Sequence, residues 1–94
     1  MKSIEQKHAV DMFRSLVRGD PRDVFMSIKV QVMYDFECAY KLGANGFALE
    51  YLPEYELKTN DRIKLHLLIQ QSFAAGNAAY KISQLQKQIA GSKQ

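Results

Sequence analysis

Cysteine occurs once in this 94-residue chain, at Cys38, and tryptophan does not occur. A lone thiol cannot close an internal disulfide, so the composition predicts a cytoplasmic protein. The first residues, Met1 to His8, contain no apolar run of the kind that opens a secretion signal. Long hydrophobic runs are also missing. The longest uncharged stretch, Leu65 to Tyr80, contains Gln70, Gln71, Ser72 and Asn77, and is too short and too polar to span a bilayer. Two prolines and five glycines leave little room for long loops.

Catalytic and metal-binding patterns are scarce. His8, Cys38 and His66 are the soft metal ligands, and no two lie within one helical turn of each other. No metal or cofactor is therefore expected. Cys38 sits beside Glu37 among apolar residues, which suits a buried, inert thiol better than a nucleophile. The carboxylate pairs Asp35/Glu37 and Glu54/Glu56 read as exposed. Gly43-Ala44-Asn45-Gly46 holds two glycines but neither a dinucleotide fingerprint nor a Walker lysine. The chain is not expected to be an enzyme.

What is present is helical pattern. Apolar residues make up 47% and charged residues 24%, ordinary for one small globular domain. Ser3-Ile4-Glu5-Gln6 fits a capping box, and apolar positions recur at Ile4, Val10, Phe13, Leu16 and Val17. A first helix over about 4–18 follows. Arg18-Gly19-Asp20 matches an adhesion tripeptide, but its neighbours give it a plainer meaning. Gly19 suits the left-handed end of one helix, and Asp20-Pro21 suits the start of the next. The second helix is predicted over about 21–42. Phe25, Ile28, Val32, Phe36 and Ala39 form one stripe, and Met26, Val30, Met33 and Tyr40 a second. Residues 43–59 are predicted to be a structured connection. Its Phe47-Ala48-Leu49-Glu50-Tyr51 alternates like a short strand, and Glu54 to Leu57 fits a single helical turn. The third helix is predicted over about 61–90, ending at Gly91. The fold class is all-α: three helices, with the long third one in an antiparallel hairpin with the second.

That third helix is too long for the remaining residues to enclose. Its Ser72/Gly76 and Ala75/Ala79 pairs make two small faces, and Leu68, Ala75, Ile82 and Ile89 recur every seven residues, with Ala78 and Leu85 between. Two readings are open: a tight hairpin within one chain, or an interface between chains. The length of the third helix and the two-sided second helix favour a homo-oligomer, with Leu68, Ala75, Ala79, Ile82, Leu85, Ile89, Phe25 and Val32 at its interface.

The net charge is +3, divided as +2 over residues 1–34, −4 over 35–57 and +5 over 58–94. Acidic and basic segments can pair within or between chains. Nucleic acid is not the expected partner. Arg62 and Lys87 fall close together on a helical wheel but Lys64 and Lys81 do not, and there is no helix–turn–helix with a basic second helix.

Gln71, Asn77 and Tyr80 are polar groups within an apolar helix. With Lys81 and Arg62 they are the candidate binding residues for an anionic, nucleotide-like ligand. Residues 73–81, FAAGNAAYK, resemble the end of the hairpin in phage proteins that sequester cyclic-nucleotide alarm signals, over about a tenth of the chain. No family follows from so short a match. The expected function is that of a small non-enzymatic adaptor or inhibitor occupying a partner macromolecule. By analogy such proteins include accessory proteins of phages and mobile elements. The alternative is an oligomeric small-molecule sponge, and the third reading a helical nucleic-acid-binding protein.

Overall fold

The computed structural model describes residues 2–50 and 52–92, with side chains through Ile89. Three helices form: α1 (Ile4–Val17), α2 (Lys29–Ala44) and α3 (Thr59–Ser92), with no strand among the described residues. The all-α hairpin expected from the sequence is the observed architecture. α2 and α3 pack against each other, and α1 lies across them, mainly on α2.

α1 begins as its sequence dictates. The Gln6 backbone N–H donates to Ser3 Oγ at 3.2 Å, and the Ser3 N–H donates to Gln6 Oε1 at 2.9 Å, so two otherwise orphaned donors are satisfied. It ends at Val17, and the turn that follows, closed by the Asp20 N–H donating to the Val17 carbonyl at 3.1 Å, contains Gly19, whose φ of +71° is the left-handed geometry that a residue with a Cβ resists. The tripeptide Arg18-Gly19-Asp20 is thus a helix end.

The second helix starts eight residues later than its apolar pattern suggested. Residues 20–25 are irregular, and Met26–Ile28 form one 3₁₀ turn before α2 begins at Lys29. The Asp20 carboxylate does not cap a helix. It accepts from the Arg22 backbone N–H at 3.0 Å and from the Arg22 guanidinium at 2.7 and 2.9 Å. The same guanidinium donates to Asp61 at 2.9 Å, which fastens the segment to the first turn of α3. Phe25, 1% exposed, anchors it to the core.

α3 starts at Thr59, two residues before the predicted start, and its helical backbone runs past Gly91 to Ser92. Among its described residues the connection forms neither the strand nor the helical turn that its sequence suggested, since an isolated strand finds no ladder partner among them. Tyr51 lies outside the described residues. Side chains hold the connection instead. The Tyr55 hydroxyl donates to Asp35 on α2, and His66 Nε2 on α3 donates to the Pro53 carbonyl at 2.8 Å.

The core consists of Ala9, Phe13, Leu16, Phe25, Val32, Phe36, Ala39, Leu65 and Ile69. Each large apolar side chain removed from water contributes about 1.5–3 kcal/mol. Beyond it, α2 and α3 approach at two glycines. A Cβ on Gly76 would run into the Tyr40 carbonyl and sit 2.9 Å from the Ala44 nitrogen; one on Gly43 would run into the Phe73 carbonyl and sit 2.6 Å from the Asn77 nitrogen. Ser72, fully buried one turn from Gly76, donates its hydroxyl to the Leu68 carbonyl at 3.1 Å. The Ser72/Gly76 face therefore belongs to the hairpin within one chain.

α2 has 16 residues and α3 has 34, so α2 covers only part of α3. The molecule measures 56 × 29 × 19 Å, with a radius of gyration of 15.5 Å. A compact chain of this length would have about 12 Å.

Candidate binding faces

Each residue of an α-helix turns the chain about 100°, so the face opposite the core can be read directly. On α3 the inward residues are Asp61, Leu65, Ile69, Ser72 and Gly76. Opposite them lie Ile63, Leu67, Ala74, Ala78, Ile82, Leu85 and Ile89, all exposed. The large ones are 51–58% exposed. They form one apolar stripe, about 100° wide, along nearly the whole helix. Gln71 and Lys81 interrupt it with polar groups, and Lys64 borders it.

The 3₁₀ turn and α2 together carry a second, shorter row. Met26, Val30 and Tyr34, four residues apart, are 49%, 79% and 65% exposed and lie opposite Val32, Phe36 and Ala39. Lys41, paired with Glu37 at 3.3 Å, continues the row as its polar end.

The sequence-predicted interface residues divide between the two sides. Phe25 and Val32 are 1% and 0% exposed and face the chain's own core, so neither offers surface to a second copy. Of the second stripe read from the sequence, Met26 and Val30 are exposed but Met33 and Tyr40 are half-buried; Tyr34, which that stripe did not include, completes the outer row. Leu68 is partly buried against the core, and Ala75 and Ala79 are half-buried. Ile82, Leu85 and Ile89 lie on the outer stripe. Ile63, Leu67 and Ala74, which complete that stripe, were missed because the first half of the helix reads as apolar all round. The legible signal was their alternating spacing of four and seven residues.

The predicted ligand residues do not converge within one chain. Arg62 and Tyr80 are separated by about 27 Å of helix axis. Gln71 and Lys81 lie on the outer side of α3, both exposed. Tyr80 turns toward the connection, where a Cβ on Gly46 would come within 2.8 Å of its ring. Asn77 is half-buried beside Gly43.

Polar groups elsewhere serve structure. Asp35 is half-buried rather than exposed, and burial pushes its carboxyl above the usual range, partly offset by the Tyr55 hydroxyl. The Tyr55 phenol is pushed up by burial and by that same carboxylate. Arg22 holds the Asp20 carboxyl far below the usual range through its hydrogen bonds. His8 is half-buried with its ring 4.8 Å from that of Tyr40, and burial lowers its pKa. Cys38 is a free thiol, half-buried rather than fully so, on a notch shared with Asp35, Leu42, Leu49 and Ile69. The notch measures about 360 Å³ including the solvent at its mouth. Among the described residues no three His, Cys, Asp or Glu side chains gather closely enough to hold a metal ion, and no helix is long and apolar enough to cross a membrane.

These features define a class by architecture alone: a three-helix domain whose long hairpin carries exposed apolar faces. No protein-family model, curated protein or solved structure matches the chain.

Proposed function

We propose that this chain is a small, non-enzymatic binding protein of the cytoplasm that self-associates and acts by occupying a partner macromolecule, as an adaptor or inhibitor. The observation that carries the reading is apolar surface beyond what the core uses, on two separate helices. Apolar residues scattered singly on a surface need no explanation, whereas contiguous rows mark interaction sites. The outer row of α2 is the face assigned to the partner macromolecule. Met26, Val30 and Tyr34 supply an aromatic and two flexible or branched anchors, and Lys41, paired with Glu37, stands at the polar end of the row.

Affinity capture with the tagged full-length chain tests this reading against a Val30→Glu/Tyr34→Glu variant. Both side chains are solvent-exposed, so the variant keeps its helix content and melting temperature. A protein retained by the native chain and lost by the variant supports the reading. Identical capture by both overturns the assignment to α2. Native mass spectrometry of the purified chain addresses the sponge alternative. Co-purified mass of a few hundred daltons per site would replace the macromolecular reading with that one.

A further inference from the structure

We propose that the outer face of α3 pairs with the same face of a second copy, antiparallel, about a two-fold axis level with residue 76. This rests on the self-association included in the proposed function and specifies its face, direction and register.

Six of the seven apolar members of the stripe read the same in both directions; the seventh, Ile82, falls opposite Gln70. From the start of α3 these six run Ile63, Leu67, Ala74, Ala78, Leu85, Ile89; from the end they again give Ile, Leu, Ala, Ala, Leu, Ile. The spacing is also symmetric, alternating four and seven residues. An antiparallel pair centred level with residue 76 therefore places Ile63 against Ile89, Leu67 against Leu85 and Ala74 against Ala78, each twice. That is the self-complementarity an isologous dimer requires. The eleven-residue repeat keeps nearly in step with the turn of a straight α-helix, so the stripe stays on one side throughout.

Charge selects the direction. Two cations fall at the edges of the stripe, Lys81 at the same angle around the helix as Ile63 and Lys64 at that of Ile82. Of the cations beside it, Lys64 falls opposite Gln88 and Lys81 opposite Gln71. In a parallel pair, Lys64 would meet Lys64 and Lys81 would meet Lys81, and like charges brought together repel. Antiparallel pairing also brings Gln71 and Lys81 together from different chains, although within one chain they do not form a site.

Size supports the same register. Ala74 and Ala78 lie at its centre and let two helices approach closely, while the large side chains fill the space toward the ends. The hairpin does not account for these alanines, because its close approach uses Gly76 and Ser72 on the other side of α3. Small residues on both sides at one level fit a helix sandwiched between α2 and a second α3.

Sedimentation velocity of the full chain over a range of concentrations, with circular dichroism of each variant, tests the proposal. The native chain is expected to dimerise reversibly. Leu67→Lys and Leu85→Glu should each weaken the dimer by about a hundredfold or more, because two-fold symmetry introduces every substitution twice. Helix content and melting temperature should hold, since Leu67 and Leu85 are 53% and 58% exposed in one chain. The double variant Leu67→Lys/Leu85→Glu should recover dimer, because each new lysine meets a new glutamate. In a Cys38→Ser background, mixing Leu67→Cys with Leu85→Cys should yield a crosslinked heterodimer in excess of either self-crosslinked species. A chain that stays monomeric at every concentration overturns both this pairing and the self-association on which it rests. An oligomer that survives Leu85→Glu leaves self-association standing and overturns this pairing, as does efficient self-crosslinking of Leu67→Cys.

Discussion

Replacing Gly76 by alanine sets two effects of opposite sign against each other. Alanine in a helix interior is favoured over glycine by about 1 kcal/mol, so propensity alone predicts stabilisation. The structure predicts the reverse. The new methyl group would collide with the Tyr40 carbonyl and lie 2.9 Å from both the Tyr40 carbonyl carbon and the Ala44 nitrogen. These are backbone atoms of α2, and no rotamer change can move them away. The helices must separate, which loosens Phe36, Ala39, Leu65 and Ile69 along the same seam. Overpacking of this kind costs about 1–3 kcal/mol and occasionally more. With the propensity gain set against a cost near the upper end, the net destabilisation should be about 2 kcal/mol. For a domain of this size that lowers the melting temperature by about 8–16 °C. Gly43→Ala should behave alike, since its methyl would sit 2.6 Å from the Asn77 nitrogen on the facing helix. The double variant should cost less than the two singles together, because the first methyl has already parted the helices. Thermal melts followed by circular dichroism measure all three. A Gly76→Ala chain that melts higher than the native one would refute the close crossing.

The loop after α1 should depend on Arg22. Arg22→Gln leaves Asp61, 6% exposed, without its cationic partner and should lower the melting temperature at neutral pH. Because Arg22 depresses the folded-state pKa of Asp20, the stabilisation is present above the ordinary carboxylate range and lost as pH falls below it; the gap between native and Arg22→Gln melting temperatures should therefore narrow in acid. Tyr55→Phe removes the hydroxyl donor to half-buried Asp35 and should cost about 1 kcal/mol, read by urea denaturation. His8 has a lowered pKa through burial, so its neutral form stabilises the fold above its ordinary value of 6.5 and that contribution is lost as pH falls. The melting temperature should drop between pH 7.5 and about 5.5, and His8→Phe should flatten that part of the profile.

Local chemistry was legible in the sequence, and long-range pairing was not. The capping box at Ser3/Gln6 and the left-handed Gly19 involve neighbours in the chain, and both appear where their residues predict. The start of α2 was misplaced because Phe25 and Ile28 keep helical spacing with Val32 while lying outside the helix. What decides the matter is Arg22 reaching Asp61, 39 positions away. Residues 47–50 alternate as a strand does, yet the connection is held by Tyr55 to Asp35 and His66 to Pro53, contacts no periodicity reveals. For the binding faces, a helical wheel alone cannot distinguish a buried apolar side from an exposed one. Only placing α2 against Gly76 shows that the opposite stripe is left outside.

The run Ser72-Phe73-Ala74-Ala75-Gly76-Asn77-Ala78-Ala79 follows from the same placement. A helix covered on one side needs small residues on one side only, and here Ser72 and Gly76 meet that need against α2. Solvent places no upper limit on side-chain size, so the alanines on the opposite side are not required by one chain. The larger Leu67 and Leu85 stand on that side, one to each end of the alanines. A face small in its middle and large toward both ends matches the shape of two crossing helices, close at the crossing and divergent away from it. A helix lying flat on an even surface would be served by uniform side chains. The gradation of size along α3 therefore favours a second rod-like element crossing at the alanines, and the symmetric placement of Ile63 with Ile89, Leu67 with Leu85 and Ala74 with Ala78 is why α3 itself is the element proposed.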